Sequence, residues 1–426
     1  MRIGIIGAGI SGLSAALSLS KSGHHVEVFE RAPSVGGLIS TFDFDGIRIE
    51  RFYHFLCGGD DGYFGLCKEL GLDDRIRFVK PKTGFYYEGR HYPFTTPLDL
   101  LRFTPIPFVQ RLRFGTFALG ARWREEWVHL DELRAKPWLI DRIGLRAYEV
   151  VWEPLLSLKF GGVHERISAA WVWHRLHRVA RSKGSMGYLE GGTALLIDTL
   201  LERIRAQGGV IHTGHAAERL LCESGRVRGV SFSNGESYEC DQVVSTLPMP
   251  VLAGLVPPEW KAYADELRGV DYIGVVCAVF KLTRPLTRNF WLNVNDSRIP
   301  FNGIIEYTNL NPLDRKSHIA YVPYYIATDH PLYRMSDAEI IEQSWSALDL
   351  LAPDLTDAHR LGVEVFRAAY AQAVCPVNFL DVRPDATAPI PGLHLLDSIF
   401  LYPEDRTQSG LILRARECAR KIAGGS

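Results

Sequence analysis

The strongest constraint on this chain comes at its start, where an apolar run meets a glycine-rich turn. Arg2-Ile3-Gly4-Ile5-Ile6 has the make-up of a short buried parallel strand. It leads straight into Gly7-Ala8-Gly9-Ile10-Ser11-Gly12, spaced G-x-G-x-x-G. Leu13 to Ser22 then reads as a helix with Leu13, Ala16 and Leu17 on a small apolar face, and Gly23 as its C-cap. His25-Val26-Glu27-Val28-Phe29-Glu30 alternates like a second strand and ends in an acid. This is one βαβ unit with a dinucleotide fingerprint in frame. Gly7 permits the tight turn, Gly9 lets backbone approach a pyrophosphate, and Gly12 lets helix and strand pack closely. The helix N-terminus offers free N–H groups to phosphates. Glu30, eighteen residues after Gly12, stands where a carboxylate accepts ribose hydroxyls.

The extension is more specific than the glycine triplet. GAGISGLSAALSLSKSGHHVEVFERAPSVGGLIS, residues 7–40, resembles the FAD signature of the flavin amine oxidoreductase superfamily. That group includes amine oxidases, protoporphyrinogen oxidases and phytoene-type desaturases, and UDP-galactopyranose mutase starts similarly. The resemblance implies non-covalent FAD, with Gly36-Gly37 bringing a loop against the diphosphate. It assigns cofactor contacts to Gly7, Gly9, Ile10, Ser11, Gly12, Glu30, Arg31, Gly36, Gly37, Leu38, Ala217, Thr246, Asp397, Gln408 and Ser409. Cys375 and Cys418 lack the context expected of a covalent flavin attachment.

At 426 residues the chain is long enough for two domains. A net charge of −1 argues against nucleic acid as the main partner. Seven scattered cysteines, never spaced C-x-x-C, fit neither a disulfide framework nor a zinc site, and no metal is expected. With no signal peptide and no long apolar stretch, the expectation is a cytoplasmic protein, with membrane association left open.

Further along, Arg51-Phe52-Tyr53-His54-Phe55 leads back towards the flavin ring in the superfamily. By resemblance Tyr53 and His54 line the ring; otherwise they fill space between strand and helix. Phe64 to Leu72 reads as a helix ending at Gly71, and 85–94 as a hairpin turning at Glu88-Gly89. Residues 97–127 interleave apolar residues with Arg102, Arg111, Arg113, Arg122 and Arg124, broken by prolines. Three readings stay open there: helical core with snorkelling arginines, a basic amphipathic face on a membrane, or arginines for an anionic substrate. Lys159 and Arg175 either meet substrate or sit on a helix surface.

Thr193 is a candidate N-cap for a helix over 194–207. A β-meander over 226–240 and a strand ending at Thr246 follow. Residues 261–385 read as several strands, and the resemblance implies that they form an antiparallel sheet over the flavin. Glu306 stands out there as a carboxylate in an apolar strand, either a site residue or part of a hydrogen-bonded edge. At the C-terminus, Leu393 to Asp397, the Glu404-Asp405-Arg406 turn and a helix from Leu411 resemble the superfamily's second flavin motif. Leu396 replaces the usual glycine there. The final helix would aim its N-terminus at the flavin, with Arg406 near the ring.

The expected fold is α/β: a two-domain FAD-binding Rossmann-like protein of the GR2 type, with a mixed α+β substrate domain. Residues 1–90, 186–260 and 386–426 would form the FAD domain, and 91–185 with 261–385 the substrate domain. The expected function is an FAD-dependent oxidoreductase. It would oxidise a C–H or C–N bond of an apolar, lipid-linked or sugar-linked small molecule by hydride transfer to flavin N5. The catalytic candidates are Tyr53, His54, Glu306 and Arg406. The alternative is a non-redox nucleotide-sugar mutase like UDP-galactopyranose mutase.

Overall fold

The computed structural model describes residues 1–123, 126–181, 185–313 and 316–424. The predicted opening unit is present as strand Arg2–Ile6, helix Ile10–Lys21 and strand His25–Glu30. The helix is buried nearly all round, as its small residues allow. One side faces the sheet; the other packs on the last helix, Gln408–Ile422, through Ile412, Ala415 and Ala419. Five parallel strands form the first sheet, in the order Val210–Thr213, His25–Glu30, Arg2–Ile6, Gln242–Ser245, Leu393–Leu395. Strands from both ends of the chain therefore share one layer.

The second sheet has seven strands, in the order Arg360–Ala373, Tyr272–Leu282, His318–Ile326, Gly303–Glu306, Trp291–Asn295, Thr83–Tyr87, Arg90–Pro93. Neighbours run antiparallel except Trp291–Asn295 beside Thr83–Tyr87. Alternation along Tyr272–Leu282 sends Val276, Ala278 and Phe280 to one face, covered by helix Asp337–Leu351. Val275, Cys277 and Val279 go to the other, among Tyr53, Phe55, Trp291, Tyr321 and Tyr325. A three-stranded meander (Ala217–Glu223, Arg226–Phe232, Ser237–Glu239) flanks the first sheet.

Several expectations shift. The 83–93 hairpin pairs with the second sheet. Thr193 is no cap: the helix Gly192–Ala206 follows a left-handed Gly191 (φ 93°). Thr193 is turned inward, its hydroxyl donating to the Ile39 carbonyl at 3.0 Å and its N–H to Glu50 at 3.0 Å. The 97–127 segment is not simply core. Its helices Pro97–Arg102 and Phe108–Gly120 bury Phe114 alone, and their apolar residues largely face outward. Arg124 lies outside the described residues.

Candidate flavin site and the chamber beside it

The glycine turn divides its labour as its spacing implies. Gly7 has φ +99°, and a Cβ there would lie 2.3 Å from the Thr246 hydroxyl. A Cβ on Gly12 would lie 2.0 Å from the Gly7 carbonyl oxygen. Gly9 is different: its nearest neighbour would be the Gly36 carbonyl at 3.9 Å, so the chain's own packing does not demand glycine there. The space above Gly9 is left for something else. Gly36, at φ +114°, closes this cradle by donating its N–H to the Ala8 carbonyl at 2.8 Å, and Gly37 (φ +55°) follows. Leu38 is half-buried in the 3-10 turn Gly37–Ile39. Helix Ile10–Lys21 has neither a side-chain cap nor an acid in its first turn, so the amides at Ile10 and Ser11 face the cradle without a competing carboxylate.

Glu30 stands at the far rim. Its carboxylate accepts the Ala8 N–H at 2.9 Å and the Ala32 N–H at 2.8 Å, which fixes it while leaving lone pairs for a ribose. Arg31 is exposed. His215 and Gly214 donate backbone N–H groups to the carbonyls of Glu30 and Ala32, drawing the start of the Ala217 strand to this rim. Thr246 donates to the Ile6 carbonyl at 2.9 Å and holds the end of its strand against the turn.

The C-terminal motif supplies a second helix N-terminus. Thr407 caps helix Gln408–Ile422 by accepting from the Gly410 N–H, and the Gln408 Oε1 is buried with no partner among the described residues. Ser409 does not face outward: its hydroxyl accepts from Gly62 N (2.9 Å) and Tyr63 N (3.4 Å), capping helix Asp61–Leu70. Asp397 is buried and accepts hydrogen bonds from Ile399 N, the Ser398 hydroxyl and the Tyr272 hydroxyl. Burial pushes its carboxyl up to about 6.

Between the two sheets, Tyr53, His54 and Arg406 come together. The Tyr53 and Tyr325 hydroxyls lie 3.3 Å apart, and Arg406 donates to Tyr325 at 3.1 Å and to the Ala371 carbonyl. Burial, then the nearby Arg406 charge, holds His54 down at about 4, and its Nδ1 has no partner among the described residues. Burial also raises Tyr53 well above a free phenol. These side chains keep accessible surface, yet loss of water dominates their titration, as in the wall of an internal chamber.

Glu306 is elsewhere, so that candidacy falls. It pairs in register with Ala320 on the face covered by helix Asp337–Leu351, and accepts the N–H groups of Leu286 (2.7 Å) and Thr287 (2.8 Å). It braces a turn, away from the chamber, and burial raises it to about 8.

Four chamber residues were undervalued from sequence. Asp405 accepts from Arg175 at 2.5 Å. Burial raises its carboxyl, but the guanidinium charges, Arg175 first, outweigh that and hold it well below the carboxylate range. Tyr325 joins Tyr53 to Arg406. Lys159 is only 4% exposed, not on a helix surface. Its signal was present in the sequence: Leu156, Lys159 and Phe160 stand at i, i+3 and i+4 on the buried face of helix Glu153–Phe160.

The residues fit a dinucleotide flavin: an open cradle over Gly9, an anchored ribose acid, the uncapped N-terminus of helix Ile10–Lys21, and unpartnered buried polar atoms at His54 and Gln408. Fold and site together define a dinucleotide-dependent flavoprotein oxidoreductase. Residues 10–398 match the flavin containing amine oxidoreductase family, and the chain belongs to it. It is an FAD-dependent oxidoreductase. Among curated relatives, it is 29% identical over 316 residues to a 15-cis-phytoene desaturase of Synechococcus elongatus, covering 67% of this chain and 66% of that one. It is 23% identical over 465 residues to the 15-cis-phytoene desaturase of Glycine max, covering 100% and 80%. Among solved structures, a reduced UDP-galactopyranose mutase superposes with TM-score 0.77 at 15% identity, covering 99% and 95%. Cyclohexylamine oxidase from Brevibacterium oxydans gives TM-score 0.72 at 14% identity, covering 99% and 98%. At these identities the structures speak for the fold alone.

Proposed function

We propose that this protein dehydrogenates a long apolar substrate at a C–H bond, drawing it from a lipid surface. The observation that carries the reading is the chamber wall. Tyr53, Phe55 and Trp291 interlock edge to face at centroid distances of 5.5 and 6.1 Å, with Tyr325 beside Tyr53. Such a wall desolvates an apolar chain and excludes water. The sequence relatives named as phytoene desaturases support a hydrocarbon over an amine or a nucleotide sugar.

Bound non-covalently, FAD supplies the hydride acceptor. Gly9, Ile10, Ser11, Gly36 and Gly37 would hold its diphosphate and Glu30 a ribose, while the Gln408 turn presents a positive helix end. Tyr53 and Tyr325, joined to Arg406, set one wall of the substrate chamber. Arg175 and Asp405 keep charge inside it paired.

Access through a membrane surface rests on residues 97–127. Phe108 is 58% exposed, Val109 66% and Trp123 66%, with Leu98, Leu112 and Leu119 outward beside exposed Arg102, Arg113 and Arg122. No helix among the described residues is long and apolar enough to cross a membrane.

The deciding experiment is anaerobic. FAD-loaded protein is mixed with vesicles carrying phytoene, with putrescine, or, after dithionite reduction, with UDP-galactopyranose. Bleaching of the flavin by phytoene with formation of a conjugated product supports the reading. Bleaching by putrescine alone, or sugar isomerisation by the reduced protein, overturns it.

A further inference from the structure

Removing hydride from one carbon leaves a second hydrogen on the neighbouring atom. As H–C–X–H becomes C=X, the C–H electron pair departs with hydride, and the X–H pair becomes the new π bond. The second hydrogen therefore leaves as a proton. This holds for C=C and C=N alike, and it rests on the redox reading above. A chamber that excludes water must itself contain a group able to take that proton.

The groups facing the chamber can be taken element by element. On the 51–55 segment, Tyr53 already carries its proton, and His54, at about 4, is a weak acceptor. On helix Ala169–Arg181, His174 is likewise held at about 4 by burial, and Arg175 is a cation. In the C-terminal turn, Asp405 is clamped as a carboxylate, Arg406 is charged, and Glu404 receives a hydrogen bond from Thr407. Tyr325 on strand His318–Ile326 is a phenol. Burial keeps Cys375 a thiol.

Lys159 differs from all of these. Its Nζ lies 4.9 Å from the centre of the Tyr325 ring, 5.1 Å from Trp171 and 5.8 Å from Phe160. It makes no hydrogen bond or ion pair among the described residues. A structural lysine extends its amine to water or to an acceptor; this one is directed into a box of aromatic faces. Its helix is entered through a π-helical turn, Tyr148–Trp152, and stops at Gly161 with φ +53°. Such turns recur at functional sites. We propose that the Lys159 amine is the base that accepts the substrate proton in this chamber. Burial first, and then Arg175 and Arg406, disfavour its ammonium form and lower it well below an ordinary lysine, against the opposing pull of Asp405. Once protonated, it gains the three ring faces and the Asp405 charge as compensation. Lys159 is thus a catalytic residue of the proposed reaction, and Arg175 and Arg406 position its titration.

The test uses FAD-loaded wild type, Lys159→Met and Lys159→Arg. Reductive methylation with ¹³C-formaldehyde labels the lysines, and their methyl resonances are followed against pH. One resonance, absent from Lys159→Met, should titrate below the others, which cluster near the ordinary value of about 10.5. The anaerobic bleaching rate with phytoene vesicles should rise with pH to a plateau in wild type. In Lys159→Met that limb should vanish and the rate fall about 10²–10⁴-fold. Lys159→Arg should not rescue, because guanidinium keeps its proton. A resonance titrating with the surface lysines overturns the proposal. So does a Lys159→Met rate within a few-fold of wild type with the same limb. If phytoene bleaches nothing, the substrate reading fails on its own; the low-pH resonance then upholds the free amine, and an ordinary one overturns it.

Discussion

Single atoms separate the roles of the three glycines, and two variants distinguish them. Gly12→Ala forces a Cβ to within 2.0 Å of the Gly7 carbonyl, so the turn must move. It should lose both FAD and several degrees of melting temperature. Gly9→Ala meets no protein atom within 3.9 Å, so the apoprotein should melt as wild type does while flavin content after dialysis collapses. Equal flavin retention in wild type and Gly9→Ala would disprove the cradle. Lys159 makes a second case. Its folded value lies below the unfolded value of 10.5, so between the two the unfolded chain binds more protons and stability rises with pH. Lys159→Met removes that penalty and should melt above wild type at pH 7, with the gap closing towards pH 10.5. Scans at a series of pH values would show it. The glycines were legible because motif spacing dictates backbone geometry. Glu306 was misread because a carboxylate in a strand signals burial without saying to which face, and register sent it behind the sheet.

The helices of residues 97–120 show how far a single element can be read. Their amphipathic composition and proline breaks are evident in the sequence, but periodicity does not say which side meets the core. The fold buries Phe103, Ile106 and Phe114 and leaves Phe108, Val109 and Leu112 outside. Replacing Phe108 and Val109 together by glutamate removes apolar anchors and opposes anionic headgroups without touching a buried contact. Co-sedimentation with phosphatidylglycerol vesicles should drop by roughly tenfold or more, since burying each such side chain is worth about 1.5–3 kcal/mol. Flavin content should stay the same. Unchanged sedimentation would assign this face to another partner. Elements further on were legible in type and blurred at their ends. The strand that carries Glu306 ends at that residue, where a 3-10 turn over Tyr307–Asn309 takes over.

At the scale of the whole molecule, the ends of the chain form one layer. Strand Leu393–Leu395 lies beside Gln242–Ser245, which lies beside Arg2–Ile6, and the last helix packs on the first. The sequence pointed to this because both ends carry flavin motifs; the attachment of the 83–93 hairpin to the second sheet was invisible, since pairing between distant strands leaves no local signal. A ligand touching both ends acts as a clasp. It binds the folded chain and not the unfolded one, so at a hundred times its dissociation constant it adds about 2.7 kcal/mol. For a chain of this length, with an unfolding entropy near 2.1 cal/mol/K per residue, that is a rise of about 3 °C in melting temperature. The rise should follow the logarithm of FAD concentration and should be absent in Gly9→Ala. Truncation after Asp405 removes the last helix, and with it the cover over Leu13 and Leu17. The truncated chain should therefore retain no flavin at any concentration and should be cut by protease along the first helix. FAD that still raised its melting temperature would show that the N-terminal cradle binds alone and that the clasp is not needed.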